Sequence, residues 1–173
     1  MNNEQRISRK RILWVILTLL QMAFIFYMSA SDAPRSSGYS HDITRWLCMI
    51  FIYGWEGKPH KKQNHLMKKL NHFVRKAAHF TEFAVLGALL FMCIRSFRAG
   101  KKKSALIALP MVLGAIYAVS DEVHQYFVPG RACAITDMLI DTAGVIFGVL
   151  VAYLITRRRS KQNSEGDLVN KTV

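Results

Sequence analysis

The stretch of sequence that decides the fold is AITDMLIDTAGVIFGVLVAYLIT, residues 134–156. About 20 helical residues cross the hydrocarbon core of a bilayer, so this run is long enough to span it. Its charged residues are Asp137 and Asp141, which share one helical stripe with Gly144 and Gly148. Small residues permit close helix packing in membranes, whereas a carboxylate that faces lipid is costly. The stretch therefore predicts a membrane-spanning helix whose acidic stripe faces other helices.

Three further stretches have similar apolar character, at residues 12–30, 77–94 and 104–120. Together with 134–156 they predict an all-α integral membrane protein, built as a four-transmembrane-helix bundle. We expect residues 1–156 to form this membrane domain. The polar residues 157–173 are expected to form a basic, disordered tail.

The loop between the first two spans has an organisation of its own. Apolar residues recur at helical spacing over 43–51 and again over 66–74, which predicts two amphipathic segments. Gly54, Gly57 and Pro59 separate these segments. The first segment is too short to span a bilayer, so we expect an amphipathic, interfacial loop between helices 1 and 2.

The charge of the chain fits a membrane protein better than a nucleic-acid-binding one. The chain carries 24 Lys and Arg against 11 Asp and Glu, a net charge of +13, yet 51% of its residues are hydrophobic. Its lysines and arginines flank the apolar runs, where each gains about 1 kcal/mol from anionic lipid. We therefore expect the lipid bilayer as a partner and no nucleic acid. The 3 cysteines lack a metal-like spacing.

The orientation follows from the distribution of these basic residues. Lys and Arg are more numerous in the two terminal tails and in the link 95–103 than in the long loop 29–76 and the last turn. The positive-inside rule then predicts that both termini lie in the cytoplasm.

Ionisable side chains gather at one end of the predicted bundle, where the second and fourth spans begin and the third ends. Arg75, His79 and Glu82 are spaced i, i+4 and i+7, so they share one stripe of the second span. Intramembrane charges of both signs at one depth mark a functional site. The candidate catalytic residues are His79, Glu82, Asp121, His124 and Asp137, and the candidate ligand-binding residues are Arg75, Lys76, Gln125, Arg131, Asp141, Ser29 and Ser31.

Two pairs within this cluster are expected to hold or move a proton. These are His79 with Glu82 and His124 with Asp121. Glu122 lies about 100° around the helix from Asp121, so we expect it to face water or the arginine that follows the turn.

Two blocks of this sequence resemble a known family. Residues 75–83, RKAAHFTEF, resemble the RKxxHFxEY signature of VanZ-like membrane proteins. Residues 120–125, SDEVHQ, followed by PGR at 129–131 and Asp137, resemble the family's second block, SDExHQxxxPGRxxxxxD. The serines that follow the first span, including Ser29 and Ser31, resemble the family's serine-rich stretch. Phe83 stands where the family usually has Tyr, and Asp141 where it commonly has Asn.

The resemblance implies a bacterial protein of the cytoplasmic membrane with low-level teicoplanin resistance as its phenotype. One hypothesis is that the cluster binds an anionic lipid or cell-wall precursor headgroup near the outer leaflet. A second is a membrane enzyme that performs acid/base or metal-assisted chemistry on a lipid-linked substrate, although no HExxH motif occurs. A third is a structural protein with a neutralised polar plug. Whether a reaction is catalysed, and with which metal or cofactor, stays open at this point.

Overall fold

The protein is a bundle of α-helices. The structure, a computed structural model, describes residues 3–30, 33–57, 59–97, 103–129, 131 and 133–172. No β-strand occurs among these residues, so the predicted all-α class is confirmed. The helices are α1 (Asn3–Ser29), α2 (Ala33–Phe51), α3 (His60–Phe97), α4 (Lys103–Tyr126) and α5 (Ile135–Thr172).

Four of these helices are long and apolar enough to cross a membrane. The candidate spans are Glu4–Ser29, His60–Phe97, Ser104–Tyr126 and Ile135–Ser160, which overlap the four predicted spans in order. The four-transmembrane-helix bundle is therefore confirmed. The helices continue beyond the apolar runs because Lys, Arg and Gln are good helix formers that need no apolar partner.

The closest helix packing is between α3 and α5. The stripe predicted from the sequence forms this seam: a Cβ atom on Gly144 would collide with the carbonyl oxygen of Phe80, and one on Gly148 with that of Ala84. Gly87 of α3 meets the backbone of Val145 in the same way. The backbones therefore touch over about two turns of α3, and this contact fixes the positions of Asp141 and Asp137, one and two turns earlier on α5.

The apolar core lies beside this seam. Phe83, Leu86 and Phe91 of α3 are buried against Val145 and Val149 of α5. Further buried residues come from α1 and α4, which pack on the same cluster. The outer faces of the spans expose large apolar side chains, as expected where lipid is the solvent.

The amphipathic loop is almost entirely helical. Helix α2 packs on the first half of α3, around a small core of Cys48, Trp55 and Met67. The chain reverses at Gly54, whose φ of 66° favours glycine. Helix α2 begins at Ala33, well before the apolar stripe at 43, because the periodicity marks only the part that packs or meets lipid. The face of α2 that carries Trp46, Met49 and Ile50 is exposed.

The C-terminal segment, expected from its polarity to be a disordered tail, continues as helix to Thr172. It contains no proline, and Gly166 is its single glycine. Polarity excludes a packed core for such a segment, but it does not by itself prevent a helix from extending.

Candidate functional site

A polar cleft lies where the middle of α3 meets the end of α4 and the start of α5. It is narrow and open to solvent: about 270 Å³ of empty space is counted in it and in front of it, but only about 10 Å³ admits the centre of a water molecule. The predicted convergence of the three helices at one end is therefore present. The residues that line the cleft are Arg75, Lys76 and His79 from α3, Glu122 and Gln125 from α4, and Asp137, Ile140 and Asp141 from α5.

A chain of hydrogen bonds closes the site toward α1. Ser29, the last residue of α1, donates its hydroxyl to Asp121 Oδ2 at 2.8 Å, and Gln125 Nε2 donates to the same oxygen at 2.9 Å. Arg131 Nη1 donates to Gln125 Oε1 at 2.9 Å, and Nη2 donates to the carbonyl oxygen of Met28 at 3.3 Å. Helix α1 is therefore part of the site, and Arg131 joins its end to α4.

Burial and neighbouring charges shift the pKa of Arg131, the arginine that completes this chain of hydrogen bonds. Desolvation, followed by the nearby positive charge of Arg75, lowers the pKa of the Arg131 guanidinium. The neighbouring carboxyl groups, of which Asp121 has the largest effect, raise that pKa. A guanidinium keeps its charge under either influence, so Arg131 is a fixed cation at the rim of the cleft.

Glu122 has a role that the sequence-based expectation missed. It does not face water: its exposed fraction is 1%, and Oε1 accepts a hydrogen bond of 2.8 Å from the backbone N–H of Ala134. Ala134 precedes α5, so this contact satisfies a donor at the start of that helix. An acidic residue near the C-terminus of α4 is unfavourable beside the negative end of the helix dipole. Such a residue in a sequence therefore indicates that a group on another element stabilises it.

Two ion pairs involve α3. Lys76 Nζ contacts Asp137 Oδ1, which also accepts a hydrogen bond of 3.2 Å from the Thr136 hydroxyl. His79 Nδ1 lies 3.8 Å from Glu82 Oε2, beyond hydrogen-bond distance. The expected His79–Glu82 pair is thus adjacent, and one small movement would close it.

The other expected pair is not formed. His124 stacks on Phe26 of α1, with ring centroids 4.3 Å apart and 24° between the planes. The hydrogen-bond partners of Asp121 are instead Ser29 and Gln125. Phe26 was not expected in the site, because periodicity cannot show which rings meet across two helices. Ser31 lies outside the described residues.

Several buried polar atoms in and around the cleft lack partners. No residue that the structure describes makes a hydrogen bond to the following atoms: His79 Nδ1, Glu82 Oε2, Asp121 Oδ1, Glu122 Oε2, His124 Nε2 and Asp141 Oδ1. A buried polar group without a partner destabilises the fold, so each of these atoms is a position at which a polar ligand or water could form a hydrogen bond. Within the same described ranges, no three His, Cys, Asp or Glu side chains are placed to hold a metal ion.

Arg75 differs from the other two cations. Lys76 is paired with Asp137, and Arg131 is bonded to Gln125 and Met28. Arg75 lines the cleft, yet it makes no hydrogen bond or ion pair with the described part of the chain. Its guanidinium is therefore available to a ligand.

Comparison with known proteins gave one result that bears on this site. A family model described as VanZ/LLP1 matches residues 14–156, which include the second and third spans, most of the first and fourth, and every residue of the cleft. Comparisons with curated proteins and with solved structures gave no match.

Proposed function

Because the chain belongs to the VanZ/LLP1 family, we propose that it binds the phosphate-bearing headgroup of a membrane lipid at the mouth of the cleft. The ligand would be an anionic lipid or a lipid-linked cell-wall precursor. The protein would lie in the bacterial cytoplasmic membrane with both termini inside and the cleft at the outer face. Occupancy of the cleft would in turn modulate susceptibility to teicoplanin.

The observation that carries this proposal is the guanidinium of Arg75, which has no hydrogen-bond or ion-pair partner among the residues that the structure describes. A planar guanidinium can offer two parallel N–H donors to phosphate oxygens, which an ammonium cannot. Lys76 lies beside it and adds a second positive charge, shared with Asp137. The bundle has many apolar faces, but this cleft combines two cations with buried polar groups.

The carboxyl groups of the cleft restrict which lipid headgroups could bind there. Glu122 and Asp141 line the cleft, and each has a buried oxygen without a hydrogen-bond donor. A bare phosphate would repel these oxygens, whereas a headgroup that also carries hydroxyl or amino groups would donate to them. We therefore favour a polyhydroxylated or amino-bearing phospholipid headgroup.

Substitution of Arg75 tests the proposal directly. We expect Arg75→Gln to reduce the phospholipid that co-purifies with the protein and to return teicoplanin susceptibility to that of a strain without the gene. Lys69→Gln is the matched control, since Lys69 is exposed on α3 outside the cleft. Normal lipid retention and unchanged susceptibility in Arg75→Gln, at equal protein level, would contradict lipid binding.

The structural alternative makes a different prediction for the same variants. If the cluster is only a neutralised plug, Arg75→Gln should change protein abundance and nothing else. Lipid content measured per mole of purified protein separates the two, because a plug has no stoichiometric lipid to lose.

One observation favours an enzyme as the second candidate function. His79 and Glu82 lie 3.8 Å apart beside the free guanidinium, and neither Nδ1 nor Oε2 has a partner in the described chain. A histidine and a carboxylate so placed can transfer a proton to or from a bound phosphate ester. Under this candidate, His79→Gln should retain co-purified lipid but abolish any change in the lipid profile of the cells.

A further inference from the structure

A second cavity lies on the face of α3 next to the one that lines the cleft. It is a groove of about 520 Å³, open along one side, between α1, α2 and the middle of α3. Phe24 of α1 and Ile43 of α2 form part of its walls. Val74, Ala78 and Val85 of α3 line it over three helical turns.

The surface of this groove suits hydrocarbon. The Gln21 side chain is held by the carbonyl oxygen of Glu82, to which its amide donates at 3.0 Å. The Thr81 hydroxyl likewise donates to the carbonyl oxygen of Ala77 at 2.8 Å. With these donors engaged, the wall of the groove consists mainly of apolar side chains, and among the described residues Glu82 is its one acidic lining residue.

The groove and the cleft meet along one stripe of α3. Arg75 lines the cleft, Ala78 lines the groove, and Glu82 lines the groove while approaching His79 of the cleft to 3.8 Å. Residues 75, 78 and 82 share a helix face, and the side chain at position 78 is only a methyl group.

We infer that the groove holds a hydrocarbon chain of the same lipid whose headgroup occupies the cleft. The lipid would cross α3 at Ala78, with its phosphate at Arg75 and its chain against Phe24, Ile43 and Val85. This inference rests on the proposed headgroup site. It adds a route of entry, sideways from the bilayer between α1 and α3, and a requirement for a long apolar chain.

Photolabelling tests the inference. The purified protein is placed in phosphatidylcholine vesicles that contain a trace of phosphatidylglycerol with a diazirine in one acyl chain. Phosphatidylglycerol carries a phosphate and two donor hydroxyls, as the cleft requires. We expect preferential labelling of residues 74–85 over the lipid-exposed face of α4. The same diazirine chain on phosphatidylcholine should not show this preference.

The decisive variant is Ala78→Phe, which places an aromatic ring on this face between Arg75 and Glu82. We expect it to reduce labelling of the groove about tenfold, the effect of losing the burial of about two methylene groups. Ala108→Phe is the matched control, because Ala108 is exposed on α4 away from both cavities. Equal labelling of the groove in Ala78→Phe and in the unaltered protein would overturn the inference.

A parallel experiment with Arg75→Gln keeps the two proposals apart. If Arg75→Gln loses the preference for phosphatidylglycerol while Ala78→Phe changes nothing, the headgroup site stands and the chain does not lie in the groove. If Ala78→Phe removes labelling while Arg75→Gln leaves it intact, the groove binds chains and the headgroup site fails.

Discussion

At the residue scale, the site depends on a few buried polar contacts that join helix ends. Ser29 of α1 reaches Asp121 of α4, and Glu122 of α4 reaches the backbone before α5. Each contact supplies a hydrogen-bond partner to a buried polar group that water does not reach within the bundle. Loss of a sole partner leaves the other group buried and unpaired, which costs more than the net value of the bond. Asp121 Oδ2 keeps the hydrogen bond from Gln125 when Ser29 is lost.

The first prediction concerns Ser29. Ser29→Ala removes one of the two donors to Asp121 Oδ2, and we expect a loss of about 1–3 kcal/mol in the free energy of unfolding. Thermal unfolding of the protein in detergent measures this loss. The control is Ser120→Ala, an exposed serine that donates to Tyr117 in its own helix, for which we expect a change within about 0.5 kcal/mol. Equal effects in the two variants would refute the role of Ser29.

Glu122 gives the second prediction. Glu122→Gln keeps a carbonyl oxygen that can accept from the Ala134 N–H, so we expect it to fold with near-normal stability. Glu122→Ala leaves that donor without its acceptor, and we expect a loss of about 1–3 kcal/mol. Unfolding midpoints of the two variants make the comparison. A Gln variant as unstable as the Ala variant would show that the negative charge matters, rather than the accepted hydrogen bond.

At the element scale, the sequence predicted the spans and their inward faces well. The stripe of Asp141, Gly144 and Gly148 was readable because small and acidic residues recur at helical spacing, and it forms the seam with α3. Helical periodicity does not determine the rotation of one helix against another. For that reason the stacking of His124 on Phe26 and the burial of Glu122 were not foreseen.

The seam between α3 and α5 gives the third prediction. A leucine at Gly148 cannot fit, since even a Cβ there collides with the backbone of Ala84. We expect Gly148→Leu to separate the helices and to abolish the folded monomer, measured as the fraction that elutes as a single species in size-exclusion chromatography. Ala143→Leu is the control, because Ala143 is exposed on the same helix. A monodisperse Gly148→Leu protein would contradict the packing described for α5.

At the scale of the whole molecule, the open question is which way the bundle faces. The excess of basic residues in the tails and in the link 95–103 favours cytoplasmic termini. Three cysteines offer a direct measurement: Cys133 is exposed near the cleft, whereas Cys48 is buried and Cys93 is half-buried. Burial raises the pKa of the Cys48 thiol, so its reaction with maleimides should be slow.

The fourth prediction follows from this difference in exposure. A membrane-impermeant maleimide should label the protein in intact spheroplasts, and Cys133→Ser should remove that labelling. The residual signal from Cys48 and Cys93 in the variant is the internal control. Labelling that appears only after the membrane is permeabilised would place the cleft at the cytoplasmic face and reverse the proposed orientation.

The continuity of α3 has a mechanical consequence. This helix runs for 38 residues without a break, about 57 Å at the usual rise per residue. Its first part packs on α2, and its middle, residues 74–85, forms one wall of both cavities. A straight helix that tilts at its middle moves at both ends. Binding or release of a lipid at residues 74–85 would therefore change the angle between α2, which packs on the first part of α3, and the membrane plane.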